Sequence, residues 1–95
     1  MSIRSIHDNR KPVQAKTLFT GTNARLQSIQ ILKDAVLKEH ISSVPAFLIC
    51  MRGISIYSDE TGTETTLMTG DFQQIEPNVK HWLNAKQDSL LILMN

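Results

Sequence analysis

The stretch GDFQQIEPNVKHW, from Gly70 to Trp82, decides the fold. It begins with a glycine-aspartate turn, continues through the extended segment FQQI and turns again at EPN before it reaches His81. Short strands separated by turn residues are typical of all-β barrels and sandwiches. The stretch therefore predicts a strand on either side of the EPN turn, with a histidine at the start of the second strand.

The chain continues this pattern in both directions. Before Gly70, ISIYS and ETTLM predict a hairpin joined by DETG, in which Gly62 supplies a positive φ. PAFLICM, residues 45–51, is apolar at every position, which predicts a strand covered on both faces. Further strands are predicted for ARLQSIQIL, AVLKEHIS, HWLNA and SLLILM. A helix is compatible with the sequence only near the N-terminus.

Composition limits the classes of protein that fit. The chain has 95 residues, which is one domain, and its apolar fraction of 41% and charged fraction of 20% are ordinary for a globular protein. Its net charge of +1 predicts neither a nucleic-acid nor a membrane partner. The single Cys50 excludes an internal disulfide. With no apolar run in MSIRSIHDNRK, we expect a cytoplasmic protein.

From about Leu18 to Met94 the chain resembles a small single-domain cupin of the cupin 2 type, and two family motifs fit it without gaps. The first motif is glycine, five residues, histidine, one residue, histidine, three residues, glutamate, six residues, glycine. In this chain those places hold Asp34, His40, Ser42, Ala46 and Gly53. The resemblance implies a double-stranded β-helix, which is a jelly-roll barrel, over residues 18–95, with residues 1–17 as an N-terminal arm or edge strand of a single domain.

The second motif is glycine, five residues, proline, one residue, glycine, two residues, histidine, three residues, asparagine. Those places hold Gly70, Glu76, Asn78, His81 and Ala85. In both motifs the spacing between positions is kept, but only His40, Gly53, Gly70 and His81 match the residue types of the family.

The resemblance implies a reduced metal site. In metal-dependent cupins, two histidines and a glutamate from the first motif join the histidine of the second around one divalent transition metal ion. The candidate ligands here are His40 and His81, because Ser42 and Ala46 replace the other two and neither suits such an ion. Glu76, in the turn before His81, is the candidate third ligand.

Two functions from different classes stay open. One is a non-catalytic module that binds a small molecule in a pocket formed by Ser42, Ala46, Leu48 and Cys50 beside the two histidines. The alternative is a metal-dependent enzyme, dioxygenase-like or isomerase-like, with His40 and His81 as its ligands. Cys50 shares the parity of Ala46 and Leu48 and is expected to face the barrel interior. A third interpretation is a dimerisation scaffold.

The other face of the PAFLICM strand carries Phe47, Ile49 and Met51. An exposed apolar patch is uncommon on a small soluble protein, so either the N-terminal segment or a second subunit should cover it. Small cupins resemble one another in pairing through sheet edges, and we therefore predict a two-fold homodimer. We expect Trp82 to face away from His81, and we expect His7 at the surface.

Overall fold

The computed structural model describes residues 1–95 and contains only β-strands as regular elements. This confirms the all-β prediction, whereas no helix forms near the N-terminus. The structure also contains no helix that is long and apolar enough to span a membrane. The nine strands are β1 (Val13–Thr20), β2 (Arg25–Ile31), β3 (Val36–His40), β4 (Ala46–Arg52), β5 (Ser55–Asp59), β6 (Glu64–Leu67), β7 (Phe72–Ile75), β8 (His81–Ala85) and β9 (Ser89–Met94).

The strands form two antiparallel sheets that face each other. The first sheet has the order β1-β2-β9-β4-β7 and the second has the order β3-β8-β5-β6. From β2 onward the chain passes repeatedly from one sheet to the other, and only the β5-β6 hairpin stays within a sheet. This alternation is the jelly-roll barrel that the family resemblance implied.

The core lies between the sheets because alternate side chains of each strand point inward. In β4, Ala46, Leu48 and Cys50 are buried, while Phe47 and Ile49 are half-buried on the outer face and Met51 is exposed. Within one chain the outer face of this strand is therefore only partly covered, and the predicted cover by a second subunit stays a prediction. Leu48 and Cys50 pack with fully buried side chains from both sheets, among them Ile31, Tyr57, Leu67, Leu83 and Leu91.

The N-terminal segment lies against the outer face of β2. His7 is half-buried rather than at the surface as expected, since its Nδ1 donates to Gln14 Oε1 at 3.0 Å and its Nε2 accepts from the buried Ser28 hydroxyl at 2.9 Å. Gln30 Nε2 donates to the Asp8 carbonyl oxygen at 3.0 Å. Residues 13–20 then form the edge strand β1, so the edge strand runs three residues beyond the predicted arm of residues 1–17.

A glycine joins β4 to β5 where β9 begins. Gly53 has φ +91°, and a Cβ at this position would overlap the Asp88 carbonyl oxygen and come within 2.8 Å of Ser89 Cα. The Ser89 hydroxyl lies within hydrogen-bond distance of the Gln87 and Ile54 carbonyl oxygens, at 2.8 and 3.1 Å. Position 53 therefore requires a glycine, because its φ is positive and because the start of β9 leaves no space for a Cβ atom.

We expect Gly53→Ala to destabilise the fold by about 3 kcal/mol or more, because it combines backbone strain with a steric clash against backbone atoms. Gly62→Ala is the matched control, since Gly62 has φ +93° but has no atom within 4 Å of an added Cβ. The control should cost only about 1 to 2 kcal/mol. Urea unfolding of the two variants measures both values, and equal losses would contradict the role assigned to packing at Gly53.

Candidate functional site

The structure brings His40 and His81 together. His40 ends β3, His81 begins β8, and the two are directly opposite each other in the antiparallel pair. Their ring centroids are 5.1 Å apart with the planes at 70°. A register shift between Leu37 and His40 changes the direction of the end of β3. His81 is buried and His40 is exposed, so the pair lies where the barrel opens to solvent.

The neighbours of His81 fix its tautomer. Its Nδ1 lies 3.1 Å from the Val79 carbonyl oxygen, which can only accept, so Nδ1 carries the proton and Nε2 keeps its lone pair. Burial lowers the pKa of His81 and the nearby His40 lowers it further, against opposing contributions from the Val79 hydrogen bond and the Asp59 charge. Tyr57 stacks on the ring at a centroid distance of 6.0 Å. At neutral pH His81 is therefore an oriented, uncharged imidazole with an acceptor nitrogen.

Asp59 lies opposite His81 on β5, but its carboxylate is already engaged. Oδ2 accepts from the Tyr57 hydroxyl at 2.8 Å and Oδ1 accepts from the Thr61 N–H at 2.9 Å. Burial raises the pKa of Asp59, but the hydrogen bonds from Thr61 and Tyr57 outweigh it and the pKa falls below its ordinary value. Burial and the Asp59 hydrogen bond raise the pKa of Tyr57. Asp59 therefore caps the hairpin and holds Tyr57.

A cavity of about 140 Å³ lies beside the two imidazoles. This volume is roughly that of five water molecules in the liquid, so only a small molecule could fit. Four lining residues are polar, namely Arg25 and Gln27 from β2 together with His40 and His81. The seven apolar lining residues are Ala15, Ile29, Leu37, Leu48, Ile75, Leu83 and Leu93, and both sheets contribute to them.

Of the pocket residues named from the sequence, Leu48 lines this cavity together with His40 and His81. The structure places the other three elsewhere. Ala46 lines a more open hollow of about 340 Å³ at the end of the first sheet, and the exposed Glu76 lines the same hollow. Cys50 is fully buried in the core, where its Sγ lies 3.4 Å from the Arg52 carbonyl oxygen. The Ser42 carbonyl oxygen, in the β3-β4 loop, accepts from the Asn78 N–H at 2.7 Å.

Sequence reasoning missed the contribution of β2 to the cavity. Arg25 and Gln27 precede Ile29 and Ile31 at the same parity, and Ile29 and Ile31 are buried in the core. The alternation in ARLQSIQIL was therefore the available signal for an inward-facing Gln27 and Arg25. Trp82 lies on the outer face of β8, where it lines a groove with Val36 and Lys38, away from the histidine pair as expected.

The residues present do not fit a transition metal with three protein ligands. No three histidine, cysteine, aspartate or glutamate side chains in the chain are grouped closely enough to hold an ion. His40 and His81 offer two imidazoles, Asp59 is occupied by Tyr57 and the hairpin, and Glu76 lines a different hollow. Sites for such ions use three or four protein ligands, so the donor set is incomplete.

No protein-family model and no curated protein matches the sequence. Solved structures do match. A cupin superfamily protein from Desulfitobacterium hafniense is 10% identical with a TM-score of 0.87, over 98% of this chain and 84% of that one. A cupin-like protein from Thermotoga maritima is 26% identical, with a TM-score of 0.80 over 87% and 67% of the two chains. KdgF from Halomonas sp. is 20% identical, with a TM-score of 0.79 over 93% and 82%. These similarities confirm the predicted barrel fold.

The lowered pKa of His81 predicts a pH-dependent stability. Below about 6.5, its ordinary value, the unfolded chain binds a proton while the folded ring stays neutral. The stability contributed by neutral His81 is thus complete above that pH and is lost as pH falls through the folded pKa. We expect the Tm of the protein to fall more steeply between pH 7.5 and 5 than that of His81→Asn.

The asparagine variant is the control for this measurement because its amide can still donate to the Val79 carbonyl oxygen but cannot titrate. Differential scanning calorimetry at each pH measures both proteins, and ionisable groups distant from His81 affect the two alike. Parallel Tm curves would contradict the lowered pKa of His81.

Proposed function

We propose that this small cupin-like barrel is a binding module whose cavity takes a small, partly apolar molecule beside His40 and His81. The observation that carries the proposal is the composition of the cavity wall. Seven apolar side chains and four polar ones line about 140 Å³, and the histidine pair is among the polar ones. Ligand sites typically combine an apolar wall with a few polar groups that orient the ligand.

His81 supplies the orienting contact in this proposal. Its Nδ1 is engaged with Val79, so Nε2 accepts a hydrogen bond from a hydroxyl or N–H of the ligand. The apolar wall contributes about 0.8 kcal/mol for each methylene group that it buries. For a ligand of this size we expect dissociation constants of about 10 μM to 1 mM after the costs of association.

The alternative, a metal-dependent dioxygenase-like or isomerase-like enzyme, is not favoured, because the two imidazoles lack a third ligand group. A cytoplasmic location remains part of the proposal, since a single buried thiol at Cys50 suits a reducing compartment.

We expect four-carbon to six-carbon alcohols, amides and acids that fit the cavity to raise the Tm of the protein in the presence of EDTA. A ligand at ten times its Kd adds about 1.4 kcal/mol of stability, which corresponds to roughly 5 °C or more for a domain of this length. Thermal unfolding with and without each compound measures the shift. Binding that disappears with EDTA would contradict a metal-independent pocket.

Leu37→Trp tests whether the cavity is the site, because Leu37 is a half-buried lining residue and the larger ring would fill the space. Leu26→Trp is the matched control, since Leu26 is also half-buried but does not line the cavity. The Tm shift should be lost in the first variant and kept in the second. A shift of equal size in both variants would place binding outside the barrel.

The predicted homodimer is also part of the proposal, and the outer face of the first sheet supports it. An apolar patch on this face consists of six residues from β4, β7 and β9, namely Phe47, Ile49, Met51, Phe72, Ile92 and Met94. Phe72 is 56% exposed, Met94 47% and Met51 42%. The N-terminal segment hydrogen-bonds to the same face at β2, through His7 and Asp8. A second copy of the chain would cover the remainder.

We expect a dimeric mass by sedimentation equilibrium at micromolar concentration, and a monomeric mass for Phe72→Glu, because a carboxylate in the apolar patch would lose its hydration on pairing. Phe19→Glu is the matched control, since Phe19 is 63% exposed on β1, at the opposite edge of the sheet. It should leave the dimer intact. A monomeric mass for the unaltered protein would contradict the proposed dimer.

A further inference from the structure

We infer that the molecule held in the barrel is a small organic acid whose carboxylate lies at Arg25 and Gln27, with a hydroxyl or other donor directed at His81. This inference rests on the proposed binding function and specifies the class of ligand. The geometry that points to it is the separation of the polar groups of the cavity between two sheets. Arg25 and Gln27 lie on β2 of the first sheet, whereas His81 lies on β8 of the second.

The charge of the lining favours an anion. Arg25 is the one arginine or lysine in the wall, and no aspartate or glutamate is among the lining residues. The only ion pair between side chains joins Arg10 to Asp8, so no aspartate or glutamate side chain pairs with Arg25. A guanidinium presents five N–H donors in a planar fork that matches a carboxylate. The Gln27 amide, two residues along the same face of β2, adds a donor next to it.

The backbone holds Arg25 in position. Its N–H donates to the backbone oxygen of Asn95 at 2.6 Å, and the Asn95 N–H donates to the Arg25 carbonyl oxygen at 3.0 Å. Arg25 also pairs with Thr20 on β1. Since strands on both sides fix its Cα, the ordering cost of binding is limited to the side chain, which improves affinity.

His81, on the opposite sheet from Arg25, determines the direction in which an acid would bind. The Nε2 lone pair of His81 accepts hydrogen bonds and repels a carboxylate oxygen, because the ring proton is held on Nδ1 by the Val79 carbonyl. An anionic head is therefore favoured at Arg25, and a hydroxyl is favoured at His81. Apolar side chains such as Leu48 and Leu93 lie in the same wall and suit a short hydrocarbon body. A four-carbon hydroxy acid has this combination of groups and is of the size that the cavity admits.

The test compares acids with amides of the same shape. Isothermal titration in EDTA would use 3-hydroxybutyrate and 4-hydroxybutyrate, each beside its primary amide, with butyrate to measure the contribution of the hydroxyl. We expect each acid to bind at least tenfold more tightly than its amide. Arg25→Gln should weaken the acid at least tenfold and leave the amide within about twofold, in the range for a hydrogen bond to a charged group.

Two further variants make the result specific. Arg52→Gln is the matched control, because Arg52 is also an exposed arginine, at the end of β4, and does not line the cavity. It should leave the affinity for both acids unchanged. Arg25→Lys keeps the charge without the planar fork and should retain part of the preference for the acid over the amide. The Tm without ligand shows that each variant folds.

The outcomes separate this inference from the function on which it rests. Acids and amides that bind equally, or acid binding that is unaffected by Arg25→Gln, would overturn the inference. Cavity binding, judged by its loss in Leu37→Trp, would still stand in that case. If neither acid nor amide binds at 20 mM, the inference and the proposed function both fail for molecules of this size.

Discussion

The insertion of β9 between β2 and β4 is the constraint on which the rest of the structure depends. The last strand of the chain is the middle strand of the larger sheet, and it pairs with β2 along one edge and with β4 along the other. Met94 lies opposite both Leu26 and Phe47, so one residue of β9 sets the register of both neighbours. Because β2 and β9 are far apart in sequence, this sheet forms only after a long loop has closed.

The geometry of the cavity depends on the position of β9. β9 holds Arg25 and Gln27 of β2 on one side and Leu48 of β4 on the other, and it contributes Leu93 itself. The smaller sheet supplies the histidine pair from across the barrel. The candidate site is therefore assembled from side chains that are scattered along the sequence and brought together by strand pairing, with the cation on one sheet and the acceptor nitrogen of His81 on the other.

Much of the fold could be predicted from the sequence because turn residues and alternation report local structure. The EPN turn, the positive φ of Gly62 and the motif spacing that joins His40 to His81 all involve short segments or fixed intervals. Parity predicts which face a residue occupies but not its depth along the barrel axis. At about 3.3 Å per residue, Ala46 and Cys50 lie about 13 Å apart along β4, on either side of Leu48. All three are buried, yet only Leu48 lines the cavity.

The same limit explains why Arg25 was missed, since its role depends on a pairing with the far end of the chain at Asn95. The two histidines alone also leave the expected set of metal ligands incomplete. A metal ion would place positive charge between the imidazoles. In this chain the carboxylate opposite His81 in the sheet, Asp59, cannot join them as a ligand because it accepts hydrogen bonds from Tyr57 and from the hairpin turn. Without that ion, the fixed positive charge in the cavity wall is the guanidinium of Arg25. The cavity wall thus carries one fixed positive charge on the first sheet and the acceptor nitrogen of His81 on the second, which are the two features that the proposed organic acid requires.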